Sequence, residues 1–421
     1  MSLENISPNL TEKHLDDIIV KAGGVKHKSW AFEGAAGKKG DGYLSEVFKV
    51  VVVGIDDKDR EFDVHLIIKT TPKSIGRKKT FRSSEFFRNE INFYEVVLKG
   101  FMEFQAAKKD AKYPFKEVAT CMVSHIDGDN DFLALENLET YGYFTTSRQE
   151  SMNIHVCRLI MQTLGRFHAL SFVMRDQSPK MFEELSAVVE ETYYANRLKP
   201  WYNDFINVQI KIALDAVSKI YGGTIIEERA KKFLSDDSLY DKMSKLTHTT
   251  NCFSVIGHGD CWTPNFLIHS TKLDGREVPV KAKMIDFQLS RFASPVIDIA
   301  FFIYSCTTEE LREQYYDDLI KSYHTSLTEL ISDFGSNPEH LFPFSALENE
   351  LKTFFRFGVG MGIESIPFSM LAEDETADME NMGDTAVPIT SIWKLKNLEA
   401  DQDLHRLADI FKHASDRGYL D

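Results

Sequence analysis

The chain changes its hydrophobic period once, near residue 150, and that change restricts its architecture more than any other feature. Upstream, "SWAFEGA", "LSEVFKVVVVGI" and "DVHLIIKTT" read as strands, with Val64, Leu66 and Ile68 alternating against His65, Ile67 and Lys69. "EVATCMVSHI" and "DFLALENL" add two more, joined by the turn "DGDN". A short helix over 9–22, opened by Thr11 and carrying Leu15, Ile18 and Ile19 on one face, precedes them. One stronger helix interrupts: "SEFFRNEINFYEVVLKGF", with Phe87, Ile91, Tyr94 and Leu98 at helical spacing and Gly100 suited to its end. The stretch before it, "PKSIGRKKTFR", reads as basic and exposed. Downstream, long helices are expected in "MNIHVCRLIMQTLGRFHALSFVM" and across 181–247, 307–335 and 344–360. Strands segregated from helices predict an α+β fold in two lobes. Residues 1–138 would form an antiparallel sheet plus one helix, and residues 139–421 a mostly helical lobe.

Net charge narrows the partners. At −15, the chain repels nucleic acid and anionic membranes. The N-terminal "MSLENISPNLTEKHLDD" is too polar for a signal peptide, and runs such as "VIDIAFFIYS" are too short to span a bilayer. Five scattered cysteines (121, 157, 252, 261 and 306) without a CxxC pair suit reduced thiols and a cytoplasmic location.

A hairpin breaks the helical region: "NFLIHS", "TKLDGREV", then "VKAKMIDFQ". Just before it lies "IGHGDCWTPNFLIH", which holds His258, Asp260 and Asn265. A two-residue turn at Asp274–Gly275 would set Asn265 opposite Asp286, with Pro279 able to shift the register. Two oxygen ligands would then sit beside a third acid. Magnesium wants one or two such protein ligands plus phosphates and water. Asn265 and Asp286 supply them, leaving Asp260 to accept the proton of an attacking hydroxyl in phosphoryl transfer. A His-x-Asp by itself is usually structural, and the added Asn265, hairpin and Asp286 make the catalytic reading. Zinc at Cys261 and His258 lacks a second ligand pair at suitable spacing.

"HGD-x4-N" with "IDFQ" resembles the catalytic and metal loops of the protein-kinase-like small-molecule kinases, the group of choline kinases and aminoglycoside phosphotransferases. Gly259, Trp262 and the Phe-Gln after Asp286 depart from protein kinases and point to small-molecule acceptors. "FFRNEINFYEVV", "LALENLETYGY", "HGDCWTPN" and "MIDFQLSRFASPVIDIAFFIY" resemble, in that order, the insect ecdysteroid-kinase-like family. The resemblance implies a protein-kinase-like fold with ATP and Mg2+ in the cleft. It implies that Lys69 holds the α- and β-phosphates with Glu90 as its ion-pair partner, and that the backbone of Glu136, Asn137 and Leu138 meets adenine. Asp260 would be the base, Asn265 and Asp286 the metal ligands, and Asp298 and His258 the braces of the catalytic loop. "GKKGDGYLSE" is not G-x-G-x-x-G, although its N–H groups, the Ser45 hydroxyl or Lys38 and Lys39 could meet phosphates.

The implied acceptor is a hydroxyl of an ecdysteroid or another hydrophobic metabolite, such as a dietary toxin to be detoxified. Choline- or aminoglycoside-type acceptors would call for a ring of carboxylates instead. A nucleotide-binding pseudokinase is the rival from another class. His168 reads as a satisfied core histidine. The Phe and Met residues of 301–370 read as bundle core or as apolar pocket walls, and "EDETADMEN" as a solvated loop.

Overall fold

The computed structural model describes residues 2–35, 44–235, 238–371 and 382–420. Lys38, Lys39 and the rest of "GKKGDGY", and the acidic "EDETADMEN", lie outside the described residues.

Five strands make the sheet of the small lobe: β1 (Lys26–Ala35), β2 (Glu46–Ile55), β3 (Glu61–Thr70), β4 (Cys121–His125) and β5 (Phe132–Glu136). Their order is β1-β2-β3-β5-β4, antiparallel throughout. Period-two alternation buries Phe48, Val50 and Val52 on one face of β2, with Leu66 and Ile68 beside them on β3. The helix Glu12–Lys21, with Thr11 at its N-cap as expected, covers that face with Leu15, Ile18 and Ile19. Each such fully buried aliphatic side chain contributes about 1.5–3 kcal/mol.

Two readings of the small lobe need correction. "PKSIGRKKTFR" is not an exposed stretch: Ile75–Phe81 is a helix that buries Arg77, Thr80 and Phe81. A guanidinium tolerates burial when it finds an acceptor, and Arg77 Nη2 donates to the Ser45 carbonyl at 3.0 Å. Nor does the next helix end at Gly100. It runs over Ser83–Asn92, widens into a π-turn at Phe93–Leu98 and continues through Lys99–Ala106. A Cβ at position 100 would lie 2.7 Å from Leu185 Cδ1, so this glycine permits close packing rather than a stop.

The hairpin forms from β8 (Phe266–Leu273) and β9 (Arg276–Met284), after β6 (Tyr143–Thr145) and β7 (Val255–Gly257). Asp274 and Gly275 turn it with φ of 50° and 78°, as expected of a two-residue connection. The predicted register is wrong. Pairing slips between His269 and Ser270, so that Phe266 meets Met284, and Ile285 N–H bonds the Asn265 carbonyl at 3.1 Å. An even ladder from the Leu273–Arg276 pair would set Asn265 opposite Met284, and the slip moves it to Ile285; neither register reaches Asp286. The slip lies beside Pro279, whose missing N–H interrupts a regular ladder. Asp286 follows with a left-handed φ of 69°, a costly conformation for a side chain other than glycine. A last strand, β10 (Arg291–Ala293), pairs with β7.

In the large lobe, Ile154–Gln177 packs along Glu309–Asp333, and Arg356–Met370 packs on Val296–Cys306. Helix Asp401–Asp416 lies beyond the stretches read as helical from the sequence. A single apolar cluster joins Phe93 and Phe101 of the small lobe to Phe167, Phe287 and Phe302, so the core runs across the lobe junction under the hairpin. Among the described residues, no helix is long and apolar enough to cross a membrane.

Candidate active site

The loop after β7 is held almost entirely by its own neighbourhood. Gly259 adopts φ 85°, and a Cβ there would meet the Leu289 carbonyl oxygen at 1.9 Å. That is the physical reason for glycine where protein kinases carry arginine. Asp298, in the first turn of Val296–Cys306, accepts His258 N–H at 2.6 Å and Gly259 N–H at 2.9 Å. Burial works to raise its carboxyl. His168 and His258, with the Gly259 N–H, outweigh burial and hold it at about 2. His168 is the buried core histidine expected, bonded to Tyr323 Oη at 2.9 Å. It also does more, meeting Asp298 Oδ2 at 3.0 Å.

His258 braces the loop from inside. Its Nδ1 accepts the Asp260 N–H at 3.1 Å, which assigns the ring proton to Nε2, donated to the Ile285 carbonyl at 2.9 Å. Burial lowers its pKa, in keeping with a neutral ring. The loop and the strand leading to Asp286 are thereby tied together by one imidazole.

Asn265 Nδ2 donates to both the Asp260 carbonyl and Asp260 Oδ2, each at 2.9 Å. The amide is so oriented because only its NH2 end can face two acceptors. Burial and the nearby Asp286 carboxylate push Asp260 up to about 8, with the Asn265 bond pulling it back. On the small-lobe side, Lys69 Nζ lies 2.6 Å from Glu90 Oε2 and 3.2 Å from Asp286 Oδ1. Burial opposes the ammonium, but the carboxylates of Asp286 and Glu90 more than offset it and raise its pKa. Burial also raises Glu90, and we read the pair as charged because Lys69 engages both Glu90 oxygens.

Two residues that sequence reasoning missed hold these parts in register. Phe287 stacks on Phe93 of the π-turn, with centroids 3.7 Å apart, and lies 4.5 Å from the His258 ring. Asn89, next to Glu90, donates to the carbonyls of Gln288 and Ser290 at 3.0 and 2.9 Å. Nothing in periodicity marks either residue. Adjacency to Glu90 and Asp286 was the available signal.

The proposed adenine segment is partly committed. Glu136 N–H bonds the Thr120 carbonyl and Asn137 N–H the His65 carbonyl, both at 2.9 Å. Leu138 N–H makes no hydrogen bond to another described residue and is the donor left to offer. The Glu136 side chain is tied to Lys283 at 3.0 Å. Glu136 and Leu138 border a shallow cavity with Tyr141 and His269, one that Asp260, Asn265 and Asp286 do not line.

Asp260, Asn265 and Asp286 line one cavity of ≈ 180 Å³. Leu44, Ser45, Phe81 and Phe86 wall it from the small lobe, so residues on both sides of position 138 enclose it. Its far wall is aromatic, with Tyr193, Trp201, Tyr202, Trp262 and Trp393. Among the described residues, no group of three or more His, Cys, Asp and Glu side chains could hold a metal. Magnesium does not need one, since it binds through one or two protein oxygens plus phosphates and water. The Asn265 amide oxygen and the Asp286 carboxylate fit that requirement.

No curated protein matches the sequence at a significant level. Among solved structures, an aminoglycoside phosphotransferase from Streptomyces rimosus, in complex with ADP and streptomycin, is 14% identical, with a TM-score of 0.31 over 74% of this chain and 90% of that one. A glucosamine kinase is 9% identical, with a TM-score of 0.32 over 86% of this chain and 95% of that one. The model of the ecdysteroid kinase-like family matches residues 39–336. That span takes in Lys69, Glu90 and the whole loop-and-hairpin unit, and the chain belongs to the ecdysteroid kinase-like family.

Proposed function

We propose that this protein transfers the γ-phosphoryl group of ATP to a hydroxyl of a hydrophobic small molecule, an ecdysteroid or a similar hydroxylated metabolite. The observation that carries the reading is the convergence of Asp260, Asn265 and Asp286 on one cavity, with Lys69 3.2 Å from Asp286. Residues 1–138 supply most nucleotide contacts and residues 139–421 most acceptor contacts. Lys69, oriented by Glu90, meets the α- and β-phosphates, and the Leu138 N–H meets adenine. Ser45, on the small-lobe wall of the cavity, faces the phosphates.

Asn265 and Asp286 would hold magnesium, which would supply positive charge to neutralise the phosphates. Asp260 then orients the acceptor hydroxyl and takes its proton as the oxygen attacks phosphorus. The bond from γ-phosphorus to the bridging oxygen breaks, and ADP leaves with the bond's electron pair. Asn265 fixes the Asp260 carboxylate for this role through its amide donor.

The aromatic lining suits an apolar ring system, and a quaternary amine, which aromatic faces also hold, is the competitor that the assay must include. The presence of Lys69, Asp260, Asn265 and Asp286 together favours turnover over a pseudokinase. ATP consumption measured with a steroid panel tests this. Asp260→Asn is expected to lower kcat by ~10²–10⁴. Equal turnover by the two proteins would remove Asp260 as the base.

A further inference from the structure

The aromatic wall opposite Asp260 contains one carboxylate that the chemistry above does not use. Glu364 projects from the helix Arg356–Met370 into the cavity shared with Asp260. Its Oε1 accepts the Tyr193 hydroxyl and its Oε2 the Tyr202 hydroxyl. No cation among the described residues forms an ion pair with it. Glu191, on a neighbouring segment, differs: it lies 3.0 Å from Arg291 and also accepts the N–H groups of Tyr193 and Tyr194 at 2.7 Å. Structural acids here have partners, and Glu364 has only two phenols.

An unpaired carboxylate in an apolar wall is costly unless something completes it. Burial pushes Glu364 up to about 7, with the two tyrosine bonds pulling it down. Each oxygen has spent one acceptor site on a tyrosine and keeps another. The remaining sites suit O–H donors. A cationic ligand fits less well, because the carboxylate's charge is already shared with two phenols.

We infer that Glu364, set by Tyr193 and Tyr202, is an acceptor-anchoring subsite that takes a second hydroxyl of an uncharged, polyhydroxylated ring system while its reacting hydroxyl meets Asp260. This rests on the kinase reading above and narrows its acceptor class. A ligand with one hydroxyl can satisfy Asp260 or Glu364, but not both. A polyol on the same skeleton gives each carboxylate a further donor for its remaining acceptor site. Glu364 is thus a specificity and positioning residue.

Calorimetric titration of the full-length protein tests this with three probes: a polyhydroxylated steroid, the monohydroxylated steroid of the same ring skeleton, and a quaternary amine. Wild type is expected to prefer the polyol by roughly 10–100-fold, the value of a hydrogen bond to a charged group. Glu364→Gln is expected to reduce that preference to about threefold or less. Should that variant fail to fold, Tyr202→Phe, which removes one donor with little change of volume, must shift the ratio by at least about threefold. Equal binding of both steroids, no steroid binding, an unchanged ratio in the folded variant, or tighter binding of the amine would overturn the subsite. Binding of a non-hydrolysable ATP analogue to wild type is followed separately. Its loss sinks the kinase reading, whereas its presence without a polyol preference sinks only the role of Glu364.

Discussion

The catalytic loop and the wall opposite it are built on different plans. The loop draws nearly all its support from residues 255–298: β7 and β10 frame it, Ser290 Oγ bonds the Gly257 carbonyl at 2.7 Å, and Asp298 takes two of its N–H groups. The wall draws on Phe81 and Phe86, then Tyr193 and Trp201, then Glu364 and Trp393, from most of the chain's length. One is fixed by short hydrogen-bonded connections and the other by long-range packing. On the proposed function, chemistry that must be exact in geometry would sit on the first, and recognition of an acceptor on the second.

If that division is right, substitutions in the loop should alter kcat and stability, and substitutions in the wall should alter KM. The largest effect is expected from Gly259→Ala. Its Cβ cannot occupy the space 1.9 Å from the Leu289 carbonyl, so the loop must move and carry Asp260 with it. A displacement of about 1 Å costs ~10² in kcat, with KM for ATP much less affected. Steady-state kinetics with ATP and an accepted hydroxyl compound check it, and a normal kcat would show the loop to be less constrained than drawn.

Next in size is Asp298→Asn. The folded carboxyl is held at about 2, below its ordinary 3.8. A depressed acid contributes stability above the unfolded pKa and loses it as pH falls through the folded one. Wild type should therefore lose about 2 kcal/mol between roughly pH 4 and pH 2 from this group. The variant should lack that contribution near neutrality and show a flatter acid limb. Urea unfolding at a series of pH values measures both, and parallel acid limbs would contradict the assignment.

A smaller change is expected from Phe287→Leu, which removes the stack on Phe93. An aromatic pair is worth about 0.5–1.5 kcal/mol beyond area, and the loss should appear in the unfolding midpoint together with a fall in kcat. The least effect belongs to the wall: Trp201→Phe should raise the acceptor KM a few-fold, about 1 kcal/mol or less, and leave kcat near wild type. A kcat loss there larger than that of Phe287→Leu would erase the distinction between the two regions.

Much of this was legible in the residues. The Thr11 cap, the alternation in β2 and β3, and the Asp274–Gly275 turn are local signals and appear where expected. So is the meeting of Asp260, Asn265 and Asp286 in one cavity, because a loop and the strands of its own hairpin bring them close whatever else the chain does. Lys69 and Glu90 could be paired only through family resemblance, since 21 positions separate them and neither is unusual alone. The register at Asn265 was miscounted by two residues, since an even ladder from the Leu273–Arg276 pair reaches Met284; the slip beside Pro279, whose missing N–H breaks the ladder, then moves the partner on to Ile285.

Local sequence thus determined the elements and the side chains that the loop and hairpin bring to the cavity, since propensity, capping and turn chemistry act over a few residues. The tertiary structure alone decided that Phe287 stacks on a π-turn, that Gly100 admits Leu185, and that Glu364 faces two tyrosines in the cavity of Asp260. Those depend on which apolar surfaces meet after collapse, and burial against a distant segment leaves no periodic mark on either partner.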